Sequence, residues 1–175
     1  MLHTTQNTEA EVMGRELHEL LSRAFEAARN NQTALLAALL EAGMSADLKN
    51  GRGDSLLMLA AYHGQEDAAR LLLEHGANPN DINDKGQSIL AGASFKGESA
   101  IVKLLVEQGA DVDMADRGGV TPLMMAAMFN RREAVQMLLK HGARIDRTDA
   151  NGLSALDHAR TMNATDTLAL LTSQL

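Results

Sequence analysis

The sequence contains no cysteine and no tryptophan, two prolines (Pro79 and Pro122) and four aromatic side chains, Phe25, Tyr62, Phe95 and Phe129. Without cysteine the fold has neither disulfide staples nor thiolate metal sites, which suits a reducing, cytoplasmic setting. The shortage of proline excludes a proline-rich linker. The shortage of aromatics leaves the core to aliphatic side chains, with ten methionines as flexible filler. No apolar run approaches the roughly 20 residues of a membrane-spanning helix, and the opening MLHTTQNTEAEVMGRE lacks the basic start and apolar stretch of a signal peptide. Positive charge is also short. With 16 basic against 23 acidic side chains the net charge is -7, which disfavours nucleic acid and directs attention to a neutral or basic protein partner. A chain of 175 residues with 45% apolar content suits one domain.

What the chain has in abundance is repetition. A glycine closes an LLxxG or similar segment at Gly43, Gly76, Gly109 and Gly142, a second series stands at Gly53, Gly86, Gly119 and Gly152, and successive members of both are 33 residues apart. In each copy Asn50, Asn83, Asp116 or Asp149 opens a turn three residues before the second glycine. Two residues past that glycine stand Ser55, Ser88, Thr121 and Ser154, placed as helix N-caps, and Pro122 occupies the first helical position after Thr121. A short helix follows, carrying Leu57, Leu90, Leu123 and Leu156 and the small residues Ala60, Ala93, Ala126 and Ala159. The chain reverses at Gly64, Gly97, Asn130 and Asn163, types that tolerate positive φ. A second helix then buries Ala69, Val102, Val135 and Leu168 with Leu72, Leu105, Leu138 and Leu171. Upstream, a Thr8–Glu11 capping box opens a long first helix, and residues 33–43 form its partner. The register divides the chain into a polar tail at 1–8, a capping unit at 9–49, regular units at 50–82, 83–115 and 116–148, and a C-terminal capping unit at 149–175.

The pattern D-x-x-G-x-T-P-L, then A-A-x-x-G, then L-L-x-x-G-A, seen most fully in TPLMMAA at 121–127 and LLLEHGAN at 71–78, resembles the ankyrin repeat over residues 17–175. That resemblance implies an all-α fold: a solenoid of about five stacked antiparallel helix pairs with β-hairpin finger loops, whose concave face binds other proteins. One slot departs from the family. Met58, Ala91, Met124 and Asp157 replace the histidine of T-P-L-H, which in the family ties adjacent repeats through polar contacts, so inter-repeat stability is expected to rest more on apolar packing.

The resemblance also places partner-binding residues in the slots that vary between copies. The pairs closing the first helix are Tyr62 with His63, Phe95 with Lys96, and Met128 with Phe129. Three of the four aromatics fall there, and Tyr62, Phe95 and Met128 are expected to form a ridge on the order of 20 Å long at helix spacings of 8–10 Å. Arg52, Asp54, Asp84, Lys85, Gln87 and Arg117 flank it as a polar rim. The bland alternative is that these bulky side chains merely pack between neighbouring helices. The acids recurring near the turns, Asp47, Asp113, Asp116, Asp146 and Asp149, read as turn formers; no D-x-[DN]-x-[DN]-G calcium loop is present. The GRGDS at 51–55 follows from the turn glycine between two surface residues. The expected function is therefore a non-catalytic, monomeric interaction module without cofactor or metal, acting as an inhibitor or regulator by occupying a surface. Two other classes remain: a ligand- or metal-binding protein or enzyme using the turn acids or His63, and a structural protein that self-associates through the aromatic ridge.

Overall fold

The computed structural model describes the backbone of residues 2–174 and the side chains of residues 12–174. Among these it contains ten α-helices and no strand: α1 (Leu2–Arg29), α2 (Thr33–Glu41), α3 (Leu56–Tyr62), α4 (Glu66–Glu74), α5 (Ile89–Lys96), α6 (Ser99–Glu107), α7 (Pro122–Met128), α8 (Arg132–Lys140), α9 (Ala155–Thr161) and α10 (Thr165–Thr172). Each odd-numbered helix packs on the even-numbered helix that follows it. The odd helices also touch one another in order, and so do the even ones. The result is a two-layer stack of helix pairs.

The first layer starts where the hydroxyl slots predict. Ser55, Ser88, Thr121 and Ser154 are extended, and their side-chain oxygens accept the amides of Met58, Ala91, Met124 and Asp157. Each such cap contributes about 1 kcal/mol. Between the layers Ala60, Ala93, Ala126 and Ala159 are fully buried, and so are Leu72, Leu105, Leu138 and Leu171 in the second layer. The small side chains of the first set let neighbouring helices approach, so the leucines close the core from the other layer.

Two of the second-layer helices obtain caps from elsewhere. Gln65 and Ala164, at the starts of α4 and α10, make no side-chain cap bond. Instead Asn31 Oδ1 accepts from the Ala68 amide at 2.9 Å, and Asn130 Oδ1 accepts from those of Asp166 and Thr167 at 3.0 and 3.1 Å. Both asparagines have φ of 55°. That conformation, which asparagine tolerates better than most residues, aims the carboxamide at the next helix pair.

Three features depart from expectation. Among the described residues the β-hairpin fingers are reduced to single antiparallel bridges, Lys49 to Ser55, Ile82 to Ser88 and Thr148 to Ser154. The cause is side-chain competition: Oδ1 of Asn50, Asn83, Asp116 and Asp149 each accepts two backbone N–H groups, two and four residues on. Those loops close as Asx turns rather than ladders. Secondly, helical backbone extends back to Leu2, through the span read as a tail, while the side chains of Thr8 and Glu11 lie outside the described residues. Thirdly, adjacent units are tied by polar contacts as well as by packing. Side chains of Asp47, Asn80 and Asp113 accept the amides of Asn78, Asp111 and Arg144 at 2.8, 2.7 and 3.1 Å, a rung at every 33-residue step.

Asp146 occupies the same slot in the 116–148 unit, but among the described residues it accepts no amide from the unit that follows and pairs with the exposed Arg144 instead. Asn80→Ala is therefore expected to cost about 1 kcal/mol in urea denaturation, whereas Asp146→Ala stays within about 0.5 kcal/mol of wild type. Equal costs would show that the rungs contribute nothing.

Candidate docking face

Tyr62 and Phe95 lie in the last turns of α3 and α5, and Phe129 follows α7 directly, so 33- and 34-residue steps bring one ring from each of three units together. Tyr62 and Phe95 stack, with centroids 6.2 Å apart and planes 12° from parallel. Phe95 meets Phe129 edge-on at 4.5 Å and 84°. Both arrangements are favoured aromatic geometries. The third member of the row is thus Phe129 and not Met128, which is half-buried beside it. Gly92 lies beside the first ring: a Cβ there would stand 3.7 Å from Tyr62 Cδ2, an ordinary van der Waals contact. His63 meets Tyr62 edge-on, and Lys96 Nζ lies 5.1 Å from the Tyr62 centroid, within cation–π reach.

Phe95 is half-buried between its neighbours, as a packing role requires, but Tyr62 and Phe129 remain 40% and 36% exposed. Phe95, in contact with Tyr62 on one side and Phe129 on the other, limits the rotamer freedom of both.

Of the rim residues, Arg52, Asp84, Lys85, Gln87 and Arg117 are exposed. Arg117 lays its stem against Gly86 and donates from Nη2 to the Asp84 carbonyl at 3.2 Å. Asp84 in turn packs over Gly53, whose φ of 74° already disfavours a side chain and where a Cβ would sit 2.7 Å from the Asp84 amide. Asp54 departs from its expected place at the rim. It is 8% exposed and accepts from Asn83 at 3.0 Å and from Asn50 and Arg52 at 3.1 Å each. Burial alone would raise its carboxyl, but the hydrogen bonds from Asn83 and Asn50 and the Arg52 charge outweigh that and hold it below the ordinary range. It joins two units rather than facing a partner.

Two exposed apolar residues join the same slots unannounced. Ile82, 43% exposed, precedes the turn asparagine in the column of Lys49, and Met162, 52% exposed, continues the column of His63, Lys96 and Phe129. Reading the 33-residue columns one position further would have found both. The turn acids act within the chain, as the Asx turns and inter-unit rungs show. In the last unit His158 Nε2 lies 3.0 Å from Asp149 Oδ2, with both side chains largely buried. The Leu153 amide, opposed by burial and joined by the Asn151 amide and His158, keeps that carboxylate below its usual range.

A family model described as ankyrin repeats (3 copies) matches residues 24–116, and a second, described as ankyrin repeats (many copies), matches residues 105–159. A putative ankyrin repeat protein of Pseudomonas aeruginosa is 51% identical over 56 residues, 32% of this chain and 33% of that relative. The match thus spans about a third of the relative's length.

Asp54 sets a pH dependence. Because its folded-state pKa is depressed, its contribution is present above the unfolded value of roughly 3.9 and is lost as pH falls through the folded value. Asp54→Asn should be less stable than wild type at neutral pH, with the two converging as unfolding is measured toward about pH 2. A gap that stays constant across that range would show that the charge on Asp54 is not what stabilises the loop.

Proposed function

Because the chain belongs to the ankyrin-repeat family, whose members are typically non-enzymatic modules for protein–protein interaction, we propose that it docks a partner protein on the face carrying Tyr62, Phe95 and Phe129. The exposure of two rings locked against a third carries this reading. One ring comes from each of the units we place at 50–82, 83–115 and 116–148. Phe95 holds the row rigid, Tyr62 and Phe129 offer the anchor surface, and Lys85, Gln87, Asp84 and Arg117 orient what lies along the turn loops. Met162 continues the column beyond Phe129, and Ile82 adds an apolar side chain on the turn-loop side. The protein works as a monomer in the cytoplasm and regulates its partner by covering a surface, as an inhibitor does. With contacts of 6.2 and 4.5 Å the outer ring centroids stand no more than about 11 Å apart, a tighter row than the roughly 20 Å expected from helix spacing, and about three residues of extended chain cover it.

The test is a selection from a displayed random library of peptides about twelve residues long, enough to span the row at ~3.3 Å per residue. Selected peptides should lose at least about tenfold in affinity for Tyr62→Ser/Phe129→Ser, the loss of two aromatic anchors at about 1.4 kcal/mol or more. Far-ultraviolet circular dichroism should be unchanged. Binders indifferent to both substitutions would place docking elsewhere on the molecule. Loss of helix content would assign the rings to packing.

A further inference from the structure

The net charge of -7 points toward a basic partner, but charge is not spread evenly over this molecule. In the slots that vary between units, together with the column that precedes each turn Asx, the exposed charged side chains are Lys49, Arg52, Lys85, Lys96 and Arg117 against Asp84. Asp54, the other acid in those slots, is buried and hydrogen-bonded. Two of the cations are occupied: Lys49 pairs with Asp81 at 2.6 Å and Arg52 with Asp54 at 3.1 Å. Among the described residues Lys85, Lys96 and Arg117 have no carboxylate within salt-bridge distance. On the second layer the arrangement differs, since Arg70 and Lys103 are paired within their own helices with Glu66 and Glu107.

Resting on the docking reading above, we infer that the segment this face takes is acidic: an extended peptide with an aliphatic or aromatic anchor on Tyr62 and Phe129, flanked by Asp or Glu that pair with Lys85, Lys96 and Arg117. Salt screens charges over about 8–10 Å under physiological conditions, so a docked segment responds to the cations beside it rather than to acids on the far layer. The spacing is also fixed. The turn loop and the ring stand at opposite ends of one short first-layer helix, seven residues in α3, which at 1.5 Å per residue separates them by about 10 Å. Extended chain covers that distance in about three residues, so an acid paired with Lys85 or Arg117 lies about three residues from the anchor, and one paired with Lys96, beside the Tyr62 ring, lies next to it. A long polyanion such as single-stranded nucleic acid would reach beyond this face to the acidic remainder of the surface, which disfavours it.

Two displayed peptide pools of about twelve residues, matched in Phe, Leu and Gly and differing in whether their charged half is Asp/Glu or Lys/Arg, decide the matter. Panned on immobilised full-length protein at about 50 mM salt, the acidic pool should be retained at least about tenfold better, with the advantage shrinking at about 500 mM. Lys85→Glu/Lys96→Glu should reverse the preference. Lys103→Glu/Lys140→Glu, which changes the net charge equally but on α6 and α8, should preserve it. Circular dichroism on both double variants checks that they remain helical. Preference for the basic pool, identical behaviour of the two double variants, or equal retention of a thymidine oligonucleotide of about twelve nucleotides would each overturn the inference. Failure of the docking reading looks different: retention of neither pool, or retention of both unaffected by Tyr62→Ser/Phe129→Ser.

Discussion

A single helix pair of this chain has too little apolar surface to close a core of its own. Helix α3 buries every residue from Leu56 to Ala61, and it does so only because α1 stands on one side, α5 on the other and α4 behind. Burial therefore couples units that are distant in sequence but one step apart in space. The fully buried alanines at 60, 93, 126 and 159 set that step, because any longer side chain between the layers would push successive pairs apart and open the leucine contacts behind them.

Apolar burial brings the pairs together without fixing how they sit, and polar contacts supply the register. The slot where the family keeps a histidine is here Met58, Ala91, Met124 and Asp157, and the ties have moved elsewhere. Rungs run from Asp47, Asn80 and Asp113 to the next loop, caps run from Asn31 and Asn130 to α4 and α10, and Asn83 reaches back to Asp54. Most of these acceptors serve backbone N–H groups at turns and helix starts, where an unpaired donor would be expensive. They are directional, so each allows one position of the neighbouring unit.

The parts of this structure that follow from local chemistry could be read along the chain. Ser55, Ser88, Thr121 and Ser154 cap because a hydroxyl before an apolar helical run has few other uses, and the positive φ of Gly53 and its equivalents follows from the Asx that precedes each. What depended on the distance between units was hidden. Nothing in the spacing showed that Asn31 would cap a helix 37 residues away, that Asp54 would be buried by Asn83, or that Phe129 rather than Met128 would meet Phe95. The last case turns on one residue, because both neighbours close the same helix and only the three-dimensional packing decides which points along the row. The single bridges in place of hairpins belong to the same class, since the outcome depended on whether the Asx side chain or the opposite strand satisfied the loop amides.

Scarcity gives the aromatic row its meaning. The buried core is aliphatic, with Phe25 packed against it, so the three rings placed at the ends of adjacent first-layer helices contribute little that an aliphatic residue would not supply to packing alone. Tyr62 shows this most clearly. Its ring lies beside Gly92 and stacks on Phe95, and it remains 40% exposed with both contacts made. A ring held by its neighbours that still leaves much of its face in water adds less to burial than an enclosed leucine would, and that surplus apolar surface is the basis of the docking we propose. The cations that gather around the same row, in a chain that is acidic elsewhere, narrow what that contact can be.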